Sequence, residues 1–146
     1  MARRGARKAK AVVGDPTDPR GLGVLMTKYL EWLRVRHYSE RTVENRDKYL
    51  SLFILWCEAR AITRPEEVTK PILERYQRWL YHERRRDGRP LSARSQQARL
   101  IPVKQYFRWL ARANHIGSNP ASELELPKTG ERLPRAVLTA EEAEAV

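Results

Sequence analysis

Between Ser92 and Ala113 the chain carries Arg94, Arg99, Lys104, Arg108 and Arg112 and no aspartate or glutamate. Fixed cations repeated without counter-charges attract oxyanions, phosphates above all, because guanidinium and ammonium donors match phosphate oxygens in charge and geometry. Ser92, Ser95, Gln96 and Gln97 open the same stretch. Short hydroxyls and amides of this kind bond phosphate at a helix start or reach the edges of bases. A weaker group follows the spacing i, i+4, i+7 in Arg41, Asn45 and Lys48, diluted by Glu44 and Asp47. The plain alternative for that group is a solvated face with local ion pairs.

Other chemistries find no constellation to support them. His37, His82 and His115 lie in different segments without a cysteine or carboxylate at ligand spacing, which argues against a metal site. No glycine-rich phosphate loop or nucleophile elbow is present. The chain itself is therefore expected to perform no catalysis and to take no cofactor or small-molecule substrate. The lone Cys57 cannot form an internal disulfide, and its apolar helical setting predicts a core thiol. Trp32, Trp56, Trp79 and Trp109 stand at the edges of apolar stripes and read as packing residues rather than base-stacking platforms. The glutamates around Glu66 and Glu141 fall at helix starts, where the macrodipole accounts for them.

Holding these groups in place requires helices, and the hydrophobic periodicity supplies four in an all-α arrangement. The first is expected over 22–37, with Leu25, Met26, Tyr29, Leu30 and Leu33 inward. Ser39 is a natural N-cap for the second, which runs to about Ala59 with Val43, Leu50, Phe53, Ile54 and Cys57 on its stripe. Thr69 and Pro71 mark the start of the third, with Ile72, Leu73, Tyr76, Trp79 and Leu80 inward. That helix frays into Arg84, Arg85 and Arg86 before an Asp-Gly-Arg-Pro break. The fourth begins at Ser92 and ends near Ala113, burying Leu100, Val103, Phe107 and Leu110. Pro102 inside it predicts a kink rather than a break, because the stripe continues in register through it. Arg94, Gln97, Lys104 and Arg108 then share a sector opposite the stripe. On that basis Lys104→Ala is expected to weaken phosphate binding with little loss of stability.

Outside the helices, residues 1–21 read as a disordered, flexible basic arm, 22–115 as the helical domain, and 116–146 as a proline-marked linker. The linker ends in the cap and acidic first turn of a further helix at Thr139, Glu141 and Glu142, which suggests a cut at a domain boundary. With 146 residues, 41% of them apolar, there is material for one core. No apolar run is long enough for a membrane span, and no secretory leader is visible, so a cytoplasmic, nucleoid-associated location is expected. The net charge of +11 favours a polyanionic partner. Double-stranded DNA is the leading candidate. An acidic protein partner is the alternative, and a membrane surface is disfavoured because the apolar stripes are committed to a core.

The order and spacing of several fragments carry a family resemblance. Ser39, Thr42, Leu50, Phe53 and Trp56, the stretch LSARSQQARLIPVKQYFRWL over 91–110, NPA at 119–121, LPK at 126–128 and the terminal LPRAVLTAEEAEAV together resemble the N-terminal core-binding domain of Xer-like tyrosine recombinases and phage-type integrases. The resemblance implies a four-helix SAM-like core-binding bundle that closes over one side of a recombination half-site. It also implies contact with other recombinase protomers only when the full-length protein is on DNA, and a catalytic domain that lies beyond this chain. The resemblance implies DNA contacts from the second and fourth helices: Ser39 and Thr42 match the polar start of the second, and Ser95, Arg99 and Lys104 match polar and basic positions of the fourth. Arg99 lies toward the apolar side of the helical wheel, which leaves phosphate contact and bundle anchoring both open. Arg46, where the family often has an aromatic, and Pro102, where it usually has a small helix former, are departures. His82 and Arg85 reproduce the family's H-x-x-R spacing in the wrong domain, and none of the six tyrosines reads as a nucleophile.

Overall fold

The computed structural model describes residues 13–129. Four helices follow in order: α1 (Leu22–Val35), α2 (Glu40–Glu58), α3 (Lys70–His82) and α4 (Ala93–Arg112). The described part is all-α, with one isolated β-bridge between Arg84 and Pro90. Local chemistry sets the starts. Ser39, Thr69 and Ser92 each accept a backbone N–H, from Thr42, Ile72 and Ser95 respectively, and so satisfy donors that the first helical turn leaves unpaired. The ends of three helices close without glycine. His37, Ala61 and Asn114 take φ of 65°, 61° and 65°. The following N–H then reaches back five residues: Tyr38 to the carbonyl of Leu33 at 3.0 Å, Ile62 to Cys57 at 2.9 Å and His115 to Leu110 at 2.8 Å. This left-handed turn stops α1 two residues short of the expected His37.

A short 3₁₀ turn over Pro65–Glu67 was not legible in the periodicity. It holds Glu67, whose Oε1 accepts the N–H groups of Thr63 at 2.8 Å and Arg64 at 3.2 Å. α4 runs unbroken through Pro102, whose ring is buried beside Leu100 and Val103. Ala98, whose carbonyl loses its helical partner there, lies on the exposed side, where water can replace it.

α2 packs against both α1 and α4, and α4 also meets α3 and α1. The apolar stripes interlock at Phe53. Its ring lies 4.9 Å from Tyr76 of α3 and 6.0 Å from Phe107 of α4, both edge-on. Tyr106 donates its phenol hydrogen to the carbonyl of Leu22 at 2.8 Å, tying α4 to the first residue of α1. Cys57 is fully buried, and burial pushes its thiol up to about 12, so it behaves as a core residue.

Two boundaries differ from expectation. Residues 13–21, expected as the end of a disordered arm, form a turn docked on the bundle: Val13 packs against the core, and Arg64 grips Asp18 at 2.9 Å. Gly23 permits this approach, since a side chain there would collide with the Val13 carbonyl. Residues 1–12, the greater part of the expected arm, lie outside the described residues. In the same way 116–129, expected as free linker, return to the bundle with Ala121 and Leu124 buried and Ile116 and Leu126 partly so. Residues 130–146, with the expected helix start at Thr139, lie outside the described part.

Phe53→Ala removes the ring on which three helices meet and is expected to destabilise the domain by about 3–5 kcal/mol, measured by urea unfolding. A pH dependence follows from Asp18. The hydrogen bond from Arg64 holds its carboxyl below the usual carboxylate range, so the pair stabilises the fold above that range and is lost as pH falls through the lowered folded value. Unfolding measured from neutral to acid pH is expected to show a shallower acid decline for Asp18→Asn than for the parent.

Candidate nucleic-acid interface

The first turns of α2 and α4 are built alike. Ser39 Oγ accepts from Thr42 N–H at 3.1 Å and donates to Thr42 Oγ1 at 3.0 Å. Ser92 Oγ accepts from Ser95 N–H at 3.0 Å and donates to Ser95 Oγ at 3.2 Å. All four hydroxyls therefore stand at positively polarised helix starts, engaged in capping yet with acceptor capacity to spare. Gln96, beside them, is turned inward and donates to the Leu91 carbonyl at 3.1 Å.

α2 and α4 meet along a seam that sets their cations side by side. The Tyr49 ring has the Lys48 ammonium 5.1 Å from its centroid on one helix and the Arg99 guanidinium 5.5 Å away from the other. Arg41, Asn45 and Lys48 are exposed on α2, as are Arg94 and Arg108 on α4. Arg99 is half-buried, and its Nε is enclosed without a hydrogen-bond partner. It anchors at the seam through Tyr49. The burial of Tyr76 next to it pushes that phenol well above its usual range, an effect the Arg99 charge opposes.

Gln97 and Lys104 are engaged by the chain's own backbone. Lys104 Nζ donates to the Leu124 carbonyl at 2.7 Å, and Gln97 Nε2 to that of Pro127 at 2.6 Å. Gln77 of α3 adds a third bond, to Glu125 at 3.0 Å. Three side chains thus hold residues 124–127 as a strap along α3 and α4. The reason is geometric: these residues have no regular partners of their own, and their carbonyls meet the edge of the α4 polar sector once Ala121 and Leu124 are buried.

Other basic residues depart from the sequence expectation. Arg84, Arg85, Arg86 and Arg89 do not fray from α3 but occupy a closed turn. Arg85 N–H donates to Arg89 at 2.7 Å, Gly88 has φ 86°, and Asp87 pairs with Arg85 at 3.1 Å. His82 packs on Tyr81, so the H-x-x-R spacing assembles no joint site with Arg85. Arg46 faces inward among aromatic residues. A cation in the apolar sector of α2 was the available signal for it. Among the described residues no group of three or more potential metal ligands comes together, and no helix is long and apolar enough to cross a membrane.

The strap adds a structural role to Lys104. Lys104→Ala now removes a charge-assisted bond and is expected to cost about 1–3 kcal/mol, with faster amide hydrogen exchange over 121–127 as the local readout.

Comparison with known proteins agrees with this architecture. Residues 25–115 match the family model described as phage integrase, N-terminal SAM-like domain. A curated relative, tyrosine recombinase XerC 2 of Ralstonia nicotianae, is 48% identical over 132 residues, covering 90% of this chain and 38% of its own length. Tyrosine recombinase XerC of Xylella fastidiosa is 32% identical over 120 residues, again with 38% of its length covered. The chain thus spans well under half of these relatives. Among solved structures, the N-terminal domain of a phage integrase/site-specific recombinase from Haloarcula marismortui shares the fold, with TM-score 0.62 and 20% identity over 73% of this chain and 96% of that one. The integrase of mycobacterium phage Brujita gives 0.57 and 25% identity, covering 76% of this chain and 34% of that one. With more than half its residues inside the family model and the same helical bundle, this chain belongs to the phage-integrase N-terminal SAM-like domain family.

Proposed function

We propose that this chain is the core-binding half of the DNA clamp of a tyrosine site-specific recombinase. It grips double-stranded DNA along the outer faces of α2 and α4. The observation that carries this reading is α4, whose long exposed face bears cations and amides but no carboxylate, set beside the cations of α2 at Tyr49. Membership in the integrase family supports it. Arg41, Lys48 and Arg94 meet phosphates and set position, while Ser39, Thr42, Ser92 and Ser95 at the helix starts and Asn45 in the second turn of α2 contribute sequence preference. Arg99 acts by anchoring the seam. Gln97 and Lys104 act by holding the strap that leads out of the domain.

In this reading residues 22–115 form the DNA-binding body, now extended by the docked 13–21 and 116–129. Strand cleavage belongs to a catalytic domain in the full-length protein, which works with other protomers on DNA in the cytoplasm. The chain itself needs no cofactor.

A duplex titration followed by fluorescence anisotropy tests this. Binding is expected with a dissociation constant of ~10⁻⁴ to 10⁻⁶ M near physiological salt, and the logarithm of affinity should fall linearly with the logarithm of salt concentration. Lys48→Ala should reduce that slope by about 1. Absence of binding, or binding indifferent to salt, refutes the proposal. Binding to an acidic protein segment with silence toward DNA would assign the basic surface to a protein partner instead.

A further inference from the structure

A concavity of about 360 Å³ opens where the end of α1, the middle of α2 and the last turns of α4 converge. Four guanidinium-bearing residues line it: Arg36 beyond α1, Arg46 on α2, and Arg108 and Arg112 on α4. No aspartate or glutamate lines it. Its remaining wall is largely aromatic, including Tyr29, Trp32 and Trp109. Arg36 and Arg46 fall outside the basic groups read from the sequence.

These cations have little to hold. Among the described residues Arg108 and Arg112, one turn apart, have no hydrogen bond or ion pair. Arg36 rests over the Trp32 ring at 5.1 Å. Arg46 donates from Nη1 to Asn45 at 3.3 Å and interacts with the Tyr29 hydroxyl, but its Nε is buried with no acceptor. Like charges at i, i+4 repel, and an enclosed N–H without an acceptor is costly. An oxyanion in the concavity offsets the repulsion between Arg108 and Arg112. The aromatic wall strengthens the attraction by thinning the water around it, and a guanidinium pair presents forked donors to a phosphate. The volume lies near the lower end of the ~300–1,000 Å³ typical of small-ligand pockets, which admits a phosphate together with its sugar.

A second basic concavity, of about 410 Å³, is lined by Arg84, Arg85, Arg86 and Arg99. Its cations are already engaged: Arg84 donates to the carbonyls of His82 and Glu83, and Arg85 pairs with Asp87. Glu83 also lines it. The first concavity is the better anion site.

We propose that the first concavity is a seat for a backbone phosphate of duplex DNA, gripped by Arg46, Arg108 and Arg112. The inference rests on the DNA-binding reading above. What ties the seat to DNA is continuity: Tyr38 lines it and immediately precedes the Ser39 cap, and Arg46 holds Asn45 of the exposed α2 face. The seat carries the contact surface beyond the outer faces of α2 and α4 to the turn between α1 and α2.

The test compares duplex binding by the parent, by Arg108→Gln/Arg112→Gln, and by Arg75→Gln/Arg78→Gln. The last pair removes the same charge from exposed positions on α3 that lie outside the concavity. Folding of each variant is checked by thermal unfolding. The Arg108/Arg112 pair is expected to lose between about tenfold and a hundredfold in affinity at ~0.1 M salt and close to 2 from the salt slope, and the Arg75/Arg78 pair much less. Duplex should also shift the indole N–H signals of Trp32 and Trp109 in the parent. If the parent binds no duplex, the DNA-binding reading itself fails. If the parent binds and both double variants lose equally, or the Arg108/Arg112 variant loses nothing, DNA binding stands and the phosphate seat is overturned. Titration with inorganic phosphate is the remaining arm: indole shifts with phosphate but not with duplex would assign the concavity to a free anion and also overturn the seat.

Discussion

The ring of Phe53 is where the bundle is locked. It touches Tyr76 of α3 edge-on and Phe107 of α4 edge-on, and stacks with Trp56 one turn along α2 at 6.3 Å. Edge and stacked geometries of this kind favour particular ring orientations and add roughly 0.5–1.5 kcal/mol each beyond area burial. Their larger effect is on helix rotation. Turning α4 by one residue would carry a side chain such as Arg94 or Lys104 toward the rings, and enclosing an unpaired cation costs several kcal/mol. The aromatic contacts and the cation-rich face are two consequences of one rotational setting.

That setting explains why charge of one sign is tolerated on α4. Exposed cations retain most of their hydration and repel one another weakly through water. The two arginines that do enter the protein, Arg46 and Arg99, enter at seams where aromatic faces or an amide oxygen partly compensate them. Each nevertheless keeps an enclosed Nε without a partner. An enclosed donor of this kind carries a residual cost to stability.

The strap at 124–127 links the basic helix to the way the chain leaves the domain. Gln77, Gln97 and Lys104 bond three of its carbonyls, while Leu124 and Ala121 bury their side chains. A segment held at three points keeps a fixed course along α3 and α4. One edge of α4 therefore organises residues 124–127.

The helices themselves were legible in the sequence because their causes are local. The caps at Ser39, Thr69 and Ser92 act within three residues, and the apolar stripes repeat within one helix. The inward Phe53, Leu50, Leu100 and Phe107, the continuity of α4 through Pro102 and the buried thiol of Cys57 all follow from that period. The fates of Gln97 and Lys104 did not, since their acceptors stand 30 and 20 residues away along the chain. Likewise the docking of 13–21 depends on Arg64 reaching back 46 residues to Asp18. Periodicity shows which side of a helix faces outward. Whether an outward cation meets water, a passing carbonyl or a neighbouring arginine depends on which distant segments packing brings to it, and tertiary structure alone decided that.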